Sequence, residues 1–317
     1  MAITSSPLVS TASSCRGLLS KCIKEPLSNH PTIYPKYTMN EANRKAYNKE
    51  RARVFDWLSW RANSRVCMRE ILQMSVDGPA VVHHPKEFDT HREDLSQSIE
   101  NVDSFWDKET TRVLDVACGA GNNARDALPF VKEVVGVDIS QDMVNAFEDR
   151  VPNSRAHVID FAAETGEQLG QFDAAYSVVA FHHIADYATV TKNVASRLKS
   201  GGRLYIIDFI KGGSSPHSQA HSGAHGVAMT ENEAQQEGVA HIHGFTVESL
   251  KTTMEKAGLH NVHALTGVRN FCWMNQEEID SINMDQQRVN QLPAKEIDGS
   301  IERVMPFDYV LVVGVKP

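Results

Sequence analysis

The segment Arg112–Met143 constrains the fold of this chain more than any other. An apolar run that contains Asp115 leads into a turn of small residues, and a second apolar run, Val134–Val137, ends in Asp138. The two acids are 23 positions apart in the numbering, which is the length of one strand–helix–strand unit. A carboxylate at the tip of the second strand can accept hydrogen bonds from both hydroxyls of a ribose. The segment therefore predicts a nucleotide-type ligand on an α/β fold.

The turn Asp115–Gly121 (DVACGAG) differs from two common phosphate-binding loops. A dinucleotide fingerprint GxGxxG would need glycine at Ala117, Gly119 and Asn122, and only Gly119 satisfies it. No GxxxxGK[ST] sequence is present, which excludes a P-loop. The spacing disfavours a dehydrogenase, while Gly119 and Gly121 still let the backbone approach a ligand closely.

The DxACGxG turn, followed by DISxxM, closely resembles motif I and the post-strand-2 motif of class I S-adenosylmethionine-dependent methyltransferases. Within that family the chain looks like the small-molecule group related to the ubiquinone/menaquinone methyltransferases. The resemblance spans about residues 105–317 and is strongest in 112–208. It implies S-adenosyl-L-methionine as cofactor and a Rossmann-like sheet with a reversed final strand. The open alternative is a nucleotide-binding α/β domain with another ligand.

Alternating strand and helix patterns independently predict an α/β, doubly wound, mostly parallel sheet. With the resemblance, we expect seven strands and an N-terminal helical cap. Ser140 is expected to cap one helix and Thr246 another. The predicted strands are 113–116, 134–137, 157–159, 174–179, 204–207, 262–265 and 309–315, and the helices are 122–128, 141–150, 187–198 and 247–257.

The resemblance also assigns cofactor-binding residues. Asp160 would accept a hydrogen bond from the adenine amino group, and Phe161 would supply an adjacent N–H and an apolar wall. Ile139 and Met143 would flank the other face of the adenine. The methionine end would lie against the glycine turn and the end of the fourth strand. The full predicted set is Asp115, Ala117, Gly119, Gly121, Asp138, Ile139, Met143, Asp160, Phe161, Ser177 and Val178.

Methyl transfer from a sulfonium needs mainly alignment and exclusion of water, and a base helps if the acceptor atom is protonated. His183, in the sequence AFHHI that follows the fourth strand, is predicted to be a base or a substrate-orienting group. We expect Asp208 to face the same cleft and His243 to contact substrate. Each of these residues has a structural alternative. For His183 it is a histidine bonded within its loop, for Asp208 an acid that bonds the backbone, and for His243 a solvated loop residue. His182 is a secondary candidate.

Helical periodicity runs from Asn40 to Met74. In the resembled family an N-terminal helix closes over the cofactor, and Tyr47, Phe55 or Trp57 could supply its aromatic residue. The long polar insertions between later elements are expected to act as lids or substrate walls. The predicted organisation is a disordered or targeting extension (1–39), an N-terminal helical cap (40–104), and a catalytic domain (105–317) with lid insertions at 211–243 and 267–307.

The net charge of −8 is spread unevenly along the chain. Residues 1–65 carry 11 Lys/Arg and 4 Asp/Glu, with most of the excess in Arg44–Arg65. This segment is either the solvated face of a helix or a surface for an anionic substrate or nucleic acid. We expect a small-molecule acceptor and no nucleic-acid partner. The alternatives are a protein or RNA methyltransferase, and a non-catalytic S-adenosylmethionine-binding regulator.

Five cysteines without a CxxC pair indicate reduced thiols in an intracellular protein. No apolar stretch approaches the roughly 20 residues that span a bilayer. We expect a cytoplasmic protein. The alternative is a mitochondrial one, because Met1–Lys24 has three basic and no acidic residues, a composition that fits a transit peptide. His217, His221 and His225 would form a metal-binding stripe only on a helix, which Pro216 and Gly223 disfavour, so no metal is predicted. The oligomeric state stays open.

Overall fold

A computed structural model describes residues 38–91, 93–213, 238–281 and 289–317. Its helices are α1 (Met39–Ala46), α2 (Lys49–Val54), α3 (Leu58–Gln73), α4 (Asn122–Ala127), α5 (Gln141–Arg150), α6 (Tyr187–Ser196), α7 (Val247–Lys256) and α8 (Gln276–Ser281). Its strands are β1 (Val81–Asp89), β2 (Arg112–Val116), β3 (Glu133–Asp138), β4 (Arg155–Val158), β5 (Phe172–Val178), β6 (Leu198–Phe209), β7 (His260–Met274), β8 (Ala294–Ile297) and β9 (Ser300–Val315).

The strands form one sheet in the order β1-β7-β9-β6-β5-β2-β3-β4, and β8 pairs with β9. Neighbours are parallel except at β9, which runs antiparallel to β6, β7 and β8. The predicted doubly wound, mostly parallel sheet with a reversed final strand is therefore confirmed. The described residues contain nine strands instead of the expected seven.

Strand β1 lies inside the segment 40–104, which we expected to be a helical cap. It pairs in parallel with β7, from Val81 opposite Ala264 to Asp89 opposite Phe271. Most of β1 is exposed or half-buried, and Pro85 lies in its middle. An edge strand of this kind buries too little to produce an apolar pattern, so the sequence offered no strand signal.

The segment 267–307, predicted as a lid, begins and ends within the sheet. Its first residues continue β7 as far as Met274, and its last belong to β9, which begins at Ser300. The two strands pair from His260 opposite Val315 to Met274 opposite Arg303. Of the other proposed lid, residues 214–237 lie outside the described residues, as does nearly all of the proposed extension 1–39.

The helix-capping predictions are confirmed at both positions. Ser140 precedes α5, and its hydroxyl accepts a hydrogen bond from the Met143 N–H at 3.3 Å. Thr246 precedes α7, and its hydroxyl accepts from the Ser249 N–H at 3.0 Å. Each bond satisfies one of the N–H groups left unpaired at a helix start, which explains why the two boundaries could be read from sequence.

Two apolar clusters hold the sheet between helix layers. One includes Met68, Ile71 and Leu72 of α3, all completely buried, and the other includes Leu250 of α7. Burying one such side chain contributes about 1.5–3 kcal/mol. These layers fix the carboxyl ends of β2, β3, β5 and β6 along one edge of the sheet. None of the helices in the described ranges is long and apolar enough to cross a membrane.

Candidate active site

A cavity of about 640 Å³ opens at the carboxyl ends of β2, β3 and β5. Strand β2 lies between β3 and β5, so the chain crosses the sheet in opposite directions on its two sides, and ligands bind at such switch points. Residues of α1, α2 and the start of α3 (38–64, called the roof below) also line the cavity. Ligand cavities typically measure about 300–1,000 Å³, so this one suits a small molecule.

The glycine turn forms one wall of the cavity. Gly119 has φ +51°, and a Cβ built on it would meet no atom within 4 Å. Gly121 has φ +84°, but a Cβ there would come 2.2 Å from Cγ2 of Val151. The missing side chain at Gly119 therefore leaves open space for a ligand, whereas the one at Gly121 lets α4 pack on the core.

Asp138 stands at the tip of β3 and lines the cavity. Its Oδ2 accepts a hydrogen bond from the Gly119 N–H at 3.1 Å, and its Oδ1 accepts from the Ser140 N–H at 2.9 Å. Burial raises the pKa of this carboxyl, while the backbone N–H groups oppose that shift. A carboxylate has about four acceptor positions, so two remain for hydroxyl groups of a ligand.

Asp160 lines the same cavity beyond β4 and is held from two sides. Its Oδ1 accepts a hydrogen bond from the Ala162 N–H at 3.0 Å. Its Oδ2 accepts from Nδ2 of Asn40 at 2.6 Å and lies 3.5 Å from Nη2 of Arg44, both in the roof. The roof is thus bonded directly to a predicted cofactor residue.

His183, just beyond the end of β5, contacts the roof through one ring nitrogen and Gly238 through the other. Nδ1 lies 3.1 Å from the Gly238 carbonyl oxygen, and Nε2 lies 2.7 Å from the Tyr47 hydroxyl. A carbonyl can only accept, so Nδ1 donates and Nε2 accepts from the tyrosine in the neutral ring. Asn43 adds a bond from its Nδ2 to the His183 carbonyl at 2.9 Å.

His182 is oriented by Asp208, at the end of β6. Nδ1 of His182 lies 2.8 Å from Oδ1 of Asp208, and the His182 backbone N–H donates to Oδ2 at 3.1 Å. Both side chains are almost completely buried, at 2% and 0% exposure. The His182 ring lies 4.1 Å from that of His183 and 4.8 Å from that of Phe209, centroid to centroid. Asp208 therefore lies behind His182 as seen from the cavity.

Comparison with known proteins identifies the family of this chain. A family model described as a methyltransferase domain matches residues 88–264. An uncharacterized methyltransferase of Schizosaccharomyces pombe is 32% identical over 250 residues, covering 74% of this chain and 84% of that protein. This chain is a methyltransferase. Its cofactor is S-adenosylmethionine.

Two further relatives match shorter parts of the methyltransferase. A ubiquinone biosynthesis O-methyltransferase of Albidiferax ferrireducens is 29% identical over 100 residues, 30% of this chain and 40% of that protein. Phosphoethanolamine N-methyltransferase 1 of Triticum aestivum is 28% identical over 189 residues, 57% of this chain and 34% of that protein. The chain spans less than half the length of each, and the two names differ in the acceptor.

The residues of the methyltransferase fit S-adenosylmethionine in two respects. Gly119 leaves open space in which a ligand can approach the backbone of the turn, and Asp138 beside it keeps free acceptor positions. The predicted residues that line the cavity are Ala117, Gly119, Asp138, Ile139, Asp160, Phe161, Val178 and His183.

The other predicted residues do not line the cavity. Asp115, Met143 and Ser177 are buried beneath it, and Gly121 packs on the core. Asp208 lies behind His182, so it does not face the cleft as expected. His243 is exposed and lies outside the cavity, because its chain has already turned toward α7. None of these residues is part of the cavity lining. Their other proposed roles in binding or catalysis stay predictions.

Asp115 is completely buried one layer below the glycine turn. Its Oδ2 accepts a hydrogen bond from the Tyr176 hydroxyl at 3.1 Å, and its Oδ1 has no partner among the described residues. Burial raises the pKa of this carboxyl to about 8. The group is therefore protonated at neutral pH in the ligand-free protein, which removes the cost of an unpaired buried charge.

The sequence reasoning missed the cavity residues of α3. Asn63 and Ser64 are buried polar residues on a helix whose later turns bury apolar side chains against the sheet. Polar residues at the start of an otherwise buried stripe were the available signal, and no motif contains them. Tyr47 and Phe55, two of the three aromatic candidates, line the cavity, and Trp57 does not.

Three arginines of the basic segment Arg44–Arg65 form ion pairs within the protein. Arg44 lies 3.5 Å from Asp160, and both Arg61 and Arg65 lie 3.3 Å from Asp126. Arg65 also lies 3.3 Å from Glu93. These arginines hold the roof and α3 to the rest of the fold, a use that the solvated-helix interpretation did not include.

Proposed function

We propose that this methyltransferase transfers the methyl group of S-adenosylmethionine to a small-molecule acceptor. The observation that carries the proposal is the shape of the cavity. Predicted cofactor residues line it together with Phe209, Phe307 and residues of the roof. A cavity of about 640 Å³ has the size that suits a cofactor and a small acceptor.

Two carboxylates would hold the cofactor by opposite ends of its adenosine. Asp138 would accept hydrogen bonds from the ribose hydroxyls, and Asp160 from the adenine amino group. When bound, the cofactor supplies an activated methyl group on sulfur, with a neutral thioether as the leaving group. The protein then has to align the acceptor atom and keep water away, which the roof does through its bonds to Asp160 and His183.

A protonated acceptor would lose its proton to Tyr47 and His183. The Tyr47 hydroxyl already donates to Nε2 of His183, so the histidine can take the tyrosine proton as the tyrosine oxygen takes that of the acceptor. The Gly238 carbonyl bond to Nδ1 keeps Nε2 directed toward the tyrosine.

Acceptor class is tested by transfer of labelled methyl from S-adenosylmethionine into an extract of the source organism. Label in the small-molecule fraction supports the proposal. Label in protein or RNA would overturn it, although the internal pairing of Arg44, Arg61 and Arg65 weighs against such an acceptor. Binding of S-adenosylmethionine without any transfer would instead indicate a regulator.

The proton route is tested with Tyr47→Phe, which keeps the ring and removes the hydroxyl. We expect kcat to fall by about 10²-fold or more, the usual contribution of a positioned proton acceptor, with S-adenosylhomocysteine affinity unchanged. Phe55→Leu is the matched control, because Phe55 also lines the cavity from the roof but has no hydroxyl group that could transfer a proton. An unchanged kcat in Tyr47→Phe would contradict the route through His183.

A further inference from the structure

Two asparagines line the cavity where α3 meets the start of α4. Asn63 belongs to α3 and Asn123 to the first turn of α4, and neither lies in the motif that carries the family resemblance. They are called the carboxamide pair below. Their surroundings fix which end of each side chain is available to a ligand.

The oxygen of Asn63 is already used by the protein. Oδ1 accepts hydrogen bonds from the Tyr309 hydroxyl at 2.7 Å and from Nδ2 of Asn270 at 2.8 Å. The residue is only 4% exposed, and its partners are completely buried. Its Nδ2 donates to no described residue and is not among the fully enclosed unpaired atoms of the described ranges, so we place this NH₂ group on the cavity surface.

Asn123 repeats the arrangement on the facing helix. Its Oδ1 accepts a hydrogen bond from the hydroxyl of Ser64, one residue beyond Asn63. Its Nδ2 has no partner within the described part of the chain and is likewise not fully enclosed. Both carboxamides thus have their acceptor oxygen occupied and their donor group left toward the same cavity.

The charges around the carboxamide pair favour an anionic ligand group. The acids that line the cavity within the described ranges are Asp138, Asp160 and Asp186, none of them on α3 or α4. Arg51 of the roof lines the cavity as well and brings a positive charge. N–H donors directed at an ionised oxygen make shorter and stronger hydrogen bonds than neutral pairs do.

We propose that Asn63 and Asn123 form a subsite that binds a carboxylate group. This inference rests on the proposed function, since it assumes that the cavity holds S-adenosylmethionine and its acceptor. The carboxylate has two possible sources, the amino-acid part of the cofactor or the acceptor molecule. The chemistry is the same in both cases, and the experiment separates them.

The test measures binding of two ligands to the full chain by calorimetry. S-adenosylhomocysteine carries the amino-acid carboxylate, and 5′-methylthioadenosine has the same adenosine and thioether without it. The variants are Asn63→Asp and Asn123→Asp, which keep an oxygen for Tyr309, Asn270 and Ser64 but replace the donor group by a negative oxygen. Asn145→Asp is the matched control, because it adds the same charge at an exposed position of α5, where Oδ1 of Asn145 is also bonded.

If the cofactor supplies the carboxylate, affinity for S-adenosylhomocysteine falls at least about tenfold in both variants, with 5′-methylthioadenosine changed less than about twofold. If the acceptor supplies it, both affinities stay as in wild type, and the rate of label transfer into the small-molecule extract falls at least about tenfold. Asn145→Asp should match wild type throughout. Should Asn63→Asp fail to fold, Asn123→Asp alone decides, since its side chain is only half-buried.

Unchanged ligand affinity and unchanged transfer in a folded Asn123→Asp would overturn the subsite. An equal loss of affinity for both ligands would also overturn it, because the effect would not depend on the carboxylate. If wild type bound neither ligand, the proposed function itself would fall with it. Binding by wild type together with wild-type behaviour of the variants would remove only this inference.

Discussion

Replacing Asp138 with alanine should separate cofactor binding from folding. In the ligand-free protein this carboxylate makes two hydrogen bonds, to the N–H groups of Gly119 and Ser140. Its remaining acceptor positions face the cavity and are assigned to the two ribose hydroxyls in our proposal. The substitution therefore removes two bonds to ligand and two to the adjoining loops.

The expected loss follows from the number of bonds to ligand. Each hydrogen bond to a charged group contributes about 1.5–3 kcal/mol, so two contribute about 3–6 kcal/mol. At about 1.4 kcal/mol per factor of ten, affinity for S-adenosylhomocysteine should fall roughly 10²- to 10⁴-fold. By the same figure per bond, loss of the two backbone contacts lowers the free energy of unfolding by at most about 3–6 kcal/mol, and removal of a buried charge offsets part of that loss.

The assay is calorimetric titration with S-adenosylhomocysteine, beside urea unfolding of the same protein. Asp173→Ala is the matched control: its carboxylate accepts a hydrogen bond from the Arg112 N–H at 2.8 Å, at the other end of β2. It should lose stability and keep its affinity. If Asp138→Ala bound the ligand within about tenfold of wild type while folded, the assignment of Asp138 to the ribose would be wrong.

Three further outcomes concern the turn that Asp115 begins. The pKa of Asp115 is about 8 in the folded protein and 3.8 in the reference state, so between these values the native state holds one proton more than the unfolded state. The free energy of unfolding should therefore fall by about 1.4 kcal/mol per pH unit between roughly pH 5 and 8. Asp115→Asn should flatten that slope in urea unfolding at several pH values, and an unaltered slope would exclude this carboxyl as its source. Gly121→Ala should lower the free energy of unfolding by about 1–3 kcal/mol, from positive φ and contact with Val151. Gly119→Ala should have a free energy of unfolding closer to that of wild type but bind S-adenosylhomocysteine weakly. If Gly119→Ala were instead the less stable variant and Gly121→Ala the weaker binder, our description of the turn would be wrong.

The parts of the fold that could be predicted from sequence are those marked by a pattern within a short stretch of the chain. Strands β2 and β3 are continuous apolar runs, and α5 has its cap at Ser140, so each was predicted within a residue or so. Strand β1 was missed because its pairing partner lies far along the chain and its own side chains stay mostly exposed. The extra length of β7 and β9 comes from their pairing with each other, which no local pattern records.

The same distinction between local patterns and long-range contacts applies to the candidate site. Gly119, Asp138 and Asp160 could be recognised because each lies at or just beyond the end of a strand that the sequence predicts. The bond from Tyr47 to His183 joins residues 136 positions apart, and that from Asn63 to Tyr309 joins residues 246 apart. Such contacts exist only after the sheet has formed, so the choice among Tyr47, Phe55 and Trp57 could not be made from sequence.

The distance along the chain between α3 and β9 also bears on how the protein acquires its structure during synthesis. At about 5–20 residues per second, the 246 positions between Asn63 and Tyr309 take on the order of tens of seconds to translate. Met68 and Ile71, completely buried in the finished fold, lie on a helix that packs against β7, a strand made only late in that time. We expect protease to cut α3 in ribosome-bound chains stalled before Ser300, and protection there would contradict this. The part of the chain that closes over the ligands is thus made first and completed last, which gives holdase chaperones an extended period to act on it.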